Sequence, residues 1–140
     1  MRKILICTLM MMVVIGLFGC SGGLPNDIVS MTCSQPEYVN RIDIYSETGN
    51  KFVIINVEVT NKGKDNHHAN PNNFTLVDTE GYSYPYDVAT HALDRKQFPA
   101  VDVRPENKVT GHVVFKMPND AEVQKLIYKP LTGKEVVVSF

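Results

Sequence analysis

Three short constellations in this 140-residue chain carry side chains able to do chemistry. The first is His67-His68 in the polar stretch from Lys64 to Asn72, with Asp65 nearby. Imidazole suits Zn, Cu or Ni. Adjacent residues on a strand point to opposite faces, so the two rings converge only if the chain bends there. No His-x-His, Cys-x-x-Cys or His-Glu-x-x-His spacing accompanies them. His67 and His68 are the metal candidates, and the expectation is a solvated loop without a metal or other cofactor. The second constellation is Asp78 and Glu80 around Thr79, just before Gly81. Paired carboxylates serve glycoside hydrolysis or calcium, and a β-turn recruits the same residues for its own hydrogen bonds. With no Asp-x-Asp-x-Asp-Gly and no Gly-x-Ser-x-Gly, no catalytic residue is assigned. The third is Tyr82, Tyr84 and Tyr86. On a strand they line one face about 7 Å apart, a stacking surface for sugar or peptide or else a core face with hydroxyls at the rim. Pro85 cannot donate to a ladder, which argues for an edge strand or extended loop. These tyrosines are the candidate binding surface.

The elements that must position these residues have a period of two. In Phe52–Asn61, Val53, Ile55, Val57 and Val59 share one face, and Asn56, Glu58 and Thr60 lie beneath Phe52 and Ile54 on the other. Val109 to Met117 repeats this, with Val113 and Phe115 inward and His112, Val114 and Lys116 outward. Such alternation describes antiparallel strands with one wet face. Glu135 to Phe140 gives a terminal strand. Shorter strands are expected at Ile28–Cys33, Val39–Tyr45, Asn73–Val77, Tyr82–Tyr86 and Gln124–Tyr128, with a short helical turn in Thr90–Lys96. Glu47-Thr48-Gly49-Asn50 and Thr79-Glu80-Gly81 read as turns. About eight short strands with turns between them predict an all-β sandwich or barrel.

The first residues read differently. Arg2 and Lys3 precede fifteen uncharged residues, Ile4 to Phe18, and a small residue, Gly19. At 1.5 Å per residue the run spans about 22 Å as a helix, short of the ~30 Å hydrocarbon core, so it fits an export signal better than a membrane span. Leu17-Phe18-Gly19-Cys20 resembles the lipobox of bacterial lipoproteins. That resemblance implies cleavage before Cys20, a diacylglycerol on its sulfur, and an extracytoplasmic domain held on the cell membrane. The expected organisation is 1–19 signal peptide, 20–27 lipidated tether and 28–140 folded domain. The tether reaches at most about 25 Å, so the domain stays close to the lipid.

Removing Arg2 and Lys3 leaves 12 basic and 15 acidic residues, and no basic run. Nucleic acid is therefore not an expected partner, and the net charge predicts no attraction to anionic lipid. Cys7 departs with the signal and Cys20 takes the lipid. Cys33 then has no intramolecular partner, and is a free thiol, a bridge between chains or a small core residue. Alternation sets it on the face of Val29 and Met31.

Two stretches together resemble the DUF4352 family. One is Asn61-Lys62-Gly63 after a long apolar strand, then Asn73 to Asp78 with Gly81 and Tyr84. The other is Gly111-His112-Val113-Val114-Phe115-Lys116-Met117-Pro118, then Leu126-Ile127-Tyr128. The resemblance covers Ile28 to Phe140 and is strongest from Phe52. It implies an immunoglobulin-like antiparallel β-sandwich, similar to that of a secreted mycobacterial antigen, and supplies no catalytic residues. Where the family often has Pro-Gly-Glu, this chain has Pro105-Glu106-Asn107. The expected function is a membrane-tethered binding or accessory module, with an envelope protein, peptide or glycan as partner, and not an enzyme. The alternatives are a small envelope hydrolase and a metal-handling lipoprotein using His67 and His68.

Overall fold

The computed structural model describes residues 28–46 and 48–140. The stretches expected to form a signal peptide and a tether, with Cys20, lie outside the described residues. In chain order the strands are β1 (Val29–Cys33), β2 (Glu37–Val39), β3 (Arg41–Ile42), β4 (Tyr45–Ser46), β5 (Asn50–Asn61), β6 (His67–Ala69), β7 (Phe74–Asp78), β8 (Ser83–Pro85), β9 (Val101–Val103), β10 (Lys108–Pro118), β11 (Val123–Tyr128) and β12 (Val136–Ser139). One sheet is built on β5, which pairs β1 and β2 along one side and β10 along the other. The second runs β12-β11-β7-β8. All these pairings are antiparallel. The fold is the expected immunoglobulin-like β-sandwich.

The core lies between the sheets because alternation turns every second residue inward. Val53, Ile55, Val57 and Val59 of β5 and Val113 and Phe115 of β10 meet Phe74, Leu76, Leu126 and Tyr128 of the facing sheet. Phe74 stacks edge-on against Phe98, with ring centroids 4.9 Å apart. Cys33 packs at the margin of this cluster with Val29 and Met31. The outer face of β5 and β10 is drier than the alternation suggested. Phe52, Ile54 and Val114 are covered by Ile42 and Ala89, forming a second, smaller cluster. The cover includes a 3₁₀ turn at Val88–Ala92, capped by Asp87; it sits at the start of the region expected to hold a helical turn.

Two departures from the sequence reading have local causes. Val39–Tyr45 is no single strand: it breaks into β2 and the β3–β4 hairpin, which reverses at Asp43 (φ 49°) and Ile44. The polar stretch around His67 is not a loop but β6, paired with β9. Gly111 is needed for a close approach. A Cβ there would run into the backbone of Gln97 and Phe98, which runs beside β10 with Phe98 N–H donating to the His112 carbonyl at 3.0 Å. The turn that departs from Pro-Gly-Glu keeps a glycine-type geometry. Asn107 N–H donates to the Arg104 carbonyl (3.1 Å), with Glu106 at φ 65°. Proline second and a positive φ third is a type II pattern that favours glycine at the place Glu106 occupies.

Candidate functional site

The sandwich has two unlike ends. At one, Lys62 and Gly63 N–H groups donate to the Ile28 carbonyl (2.7 and 3.1 Å), so the chain enters there. At the other, β7 turns into β8 through Asp78–Tyr82, and the loop between β10 and β11 comes alongside. Thr79 N–H donates to the Glu122 carbonyl at 2.9 Å. Lys51 holds that loop in place, its ammonium donating to the carbonyls of Asn119 (3.1 Å) and Ala121 (2.7 Å). Between the turns is a cleft of about 240 Å³, lined by Asp78, Glu80, Tyr82 and Tyr84 on one side and Asp120 and Glu122 on the other.

Asp78 organises the cleft wall. It is buried. One carboxylate oxygen accepts from the N–H groups of Glu80 and Tyr82, both at 2.9 Å, which closes the turn onto Gly81 (φ 91°). The other accepts from the Tyr84 hydroxyl at 2.7 Å. The hydroxyl and the turn N–H groups stabilise the ionised carboxylate, so its pKa lies below the ordinary 3.8. The same bond, with burial and the nearby acids, pushes the Tyr84 phenol up to about 12. Both oxygens of Asp78 are thus engaged, and its geometry is that of a turn anchor rather than a proton donor.

The tyrosines divide. β8 is one of the two edge strands of its sheet, and Pro85 sits within it opposite Thr75. Tyr82 is 64% exposed at the cleft mouth. Tyr84 and Tyr86 are half-buried against the core, because the chain leaves β8 and bridges to β10, Tyr86 opposite Phe115. The three-ring surface therefore reduces to one free ring beside four carboxylates. Asp120 and Glu122 were not singled out in the sequence. They lie about forty residues from Asp78, and only the pairing of Asp78 with Val123 brings them across from it.

His67 and His68 diverge, as neighbours on a strand do. His67 is buried, its Nε2 2.7 Å from the Tyr128 hydroxyl. Burial first, and the adjacent His68 second, hold its pKa below the ordinary 6.5. His68 faces out and its Nδ1 lies 2.7 Å from Asp102. Asp65 meets neither ring; its carbonyl accepts from Asn61 at 2.8 Å. Among the described residues no three histidines, cysteines or acids gather as a metal-ligand set.

The profile of the family described as "Domain of unknown function (DUF4352)" matches residues 27–137. Among solved structures, the lipoprotein candidate ycdA of Bacillus subtilis aligns at 15% identity and TM-score 0.65, covering 84% of this chain and 38% of its own. This chain thus spans little more than a third of that protein's length. The yjhA protein of Bacillus subtilis aligns at 19% identity and TM-score 0.57, with 79% and 78% of the two chains covered. The secreted protein MPT63 of Mycobacterium tuberculosis aligns at 11% and 0.59, covering 76% and 79%. At these identities the likeness is one of fold. No curated protein matches the sequence.

Proposed function

The chain belongs to the DUF4352 family, and we propose that it works as a lipid-tethered extracytoplasmic binding module on the cell membrane. The observation that carries the binding part is the cleft at the end away from Ile28, where exposed Tyr82 stands beside Glu80, Asp120 and Glu122. An aromatic ring offers large contact area at low entropic cost, and the surrounding carboxylates favour a basic protein or peptide segment over an acidic glycan. The anchoring part is supported by Leu17-Phe18-Gly19-Cys20 after an uncharged run. Two acyl chains hold a domain stably where one does not. Asp78 has a structural task in this reading, so the hydrolase alternative loses its best-placed acid. The metal alternative loses its ligand pair, because His67 and His68 point apart.

Anchoring is tested by fractionation: Cys20→Ala should remove the acyl group and release the domain from the membrane fraction. Retention with the first nineteen residues still attached would show a membrane-embedded segment instead. Binding is tested by capture from envelope extracts with Tyr82→Ser and with Glu80→Gln/Glu122→Gln. Both should lose a partner that the unaltered protein holds, with melting curves nearly unchanged. Equal capture by all three proteins would remove the cleft from the account.

A further inference from the structure

Net charge conceals a division between the ends of the sandwich. Three turns gather at the Ile28 end: 62–66, 104–108 and 129–135. The first two are tied together by the Glu106 N–H, which donates to the Asn61 carbonyl at 3.0 Å. The third leaves Tyr128, whose hydroxyl meets His67, and Lys129 N–H donates to the Asn73 carbonyl at 2.9 Å. These turns carry Lys62, Lys64, Arg104, Lys108, Lys129 and Lys134, against Asp65, Glu106 and Glu135. All nine side chains are exposed. Lys108 also pairs with Glu58 at 3.0 Å. Between Lys129 and Lys134 stands Leu131, 83% exposed. At the opposite end, 78–82 and 118–122 carry four acids and no base.

We propose that the Ile28 end docks on an anionic lipid surface through these three turns, with Leu131 entering the headgroup layer and the acidic cleft held outward. The inference rests on the tether reading for its geometry. Cys20 lies eight residues before Ile28, so the end that carries the bases is also the end held within reach of the bilayer, at most about 28 Å extended. An anionic leaflet attracts basic segments over roughly a Debye length, about 8 Å at physiological salt. A domain basic at one end and acidic at the other therefore turns its basic end to the membrane. An exposed leucine flanked by lysines suits the interface, where the chain meets acyl carbon and the ammonium groups stay at headgroup level. The proposal departs from the expectation that net charge gives, since net charge averages over both ends of the domain.

The test uses the full-length mature lipoprotein on vesicles of phosphatidylcholine, with and without phosphatidylglycerol. An environment-sensitive dye is placed at Leu131→Cys or Thr79→Cys in a Cys33→Ser chain, and nitroxide-bearing lipid is the quencher. Quenching at position 131 should be several-fold stronger than at 79 on phosphatidylglycerol vesicles. It should fall to the level at 79 in high salt, on phosphatidylcholine alone, and in Lys129→Glu/Lys134→Glu. Equal quenching at both positions, or quenching at 131 indifferent to charge, overturns the docking. The tether is read separately, from acyl mass on Cys20 and flotation with neutral vesicles. If both are absent the tether reading fails. Docking is then decided by sedimentation with phosphatidylglycerol vesicles at low salt, where the charge-reversed chain should bind about tenfold less; equal binding overturns it.

Discussion

Each end of the sandwich holds a polar cluster that includes a tyrosine, and the two are built on opposite principles. At the Ile28 end, His67 and Tyr128 meet inside the core, where burial favours the neutral form of each. At the cleft end, Asp78 is ionised and its charge is spread over two backbone N–H groups and the Tyr84 hydroxyl. A charged carboxylate is tolerable near the surface when hydrogen-bond donors surround it, whereas burial among core side chains disfavours the charged forms of His67 and Tyr128. The turns differ in the same sense. Gly81 takes a left-handed conformation at no steric cost, while Glu106 adopts one against its side chain. The cleft end is thus locally self-consistent. The Ile28 end carries a cost that its exposed basic turns do not explain through folding.

The largest expected effect tests whether the two ends share one core. Phe115 is fully buried between them, opposite Val53. Phe115→Ala should cost about 3–5 kcal/mol, and Lys116→Ala, on the outer face, within about 0.5 kcal/mol. Denaturant melts followed by probes at both ends should shift together for Phe115→Ala. Loss at one end only would show two independent units and end the comparison on common terms.

The next effect separates the clusters by pH. The folded pKa of His67 lies below 6.5. As pH falls below 6.5 the unfolded chain takes up a proton that the fold refuses. The stability from neutral His67 is therefore fully present above 6.5 and is lost as pH falls toward the folded value. For Asp78, held below 3.8, the contribution is present above 3.8 and is lost in stronger acid. Glu37, lowered by its bond to Arg95, acts in a neighbouring acid range. The Asp78 part is therefore the difference between the unaltered chain and Asp78→Asn. Melting midpoints against pH should show the upper step vanish in His67→Gln and the lower one shrink in Asp78→Asn. A single acid step unaffected by His67→Gln would mean that water reaches the His67 ring.

How much of this was legible follows from the length of each signal. β5 and β10 run for twelve and eleven residues, long enough for alternation to fix the inward face but not to show that the outer face is covered. The Thr79–Gly81 turn was marked by its glycine. β6 and β9 have three residues each, too few to show a period, so His67 read as loop. Ile42 and Ile44 alternate well, and that concealed the reversal at Asp43. The cleft joins two turns that only a sheet register brings together, so half of its acids carried no local signal. Leu131 carried no signal in the sequence because exposure is a property of the fold.

The smallest effect sharpens the contrast between the turns. Glu106 sits at φ 65° where the type II pattern favours glycine, a conformation that costs a residue with a Cβ roughly 1–2 kcal/mol. Glu106→Gly relieves this but gives the unfolded chain more freedom, worth about 0.5–1 kcal/mol the other way. The balance should be a gain of at most about 1.5 kcal/mol. Gly81→Ala, at φ 91° with open space around the added Cβ, should lose about 1–2 kcal/mol through backbone strain alone. Opposite signs in parallel urea melts would establish that strain is stored at the Ile28 end and relieved at the cleft end. A loss for Glu106→Gly would instead assign Glu106 a stabilising contact at its own end. The replacement also removes one of only three acids among the basic turns. If those turns meet anionic lipid, it should therefore strengthen vesicle binding while it stabilises the fold, two gains with separate causes and separate salt dependence.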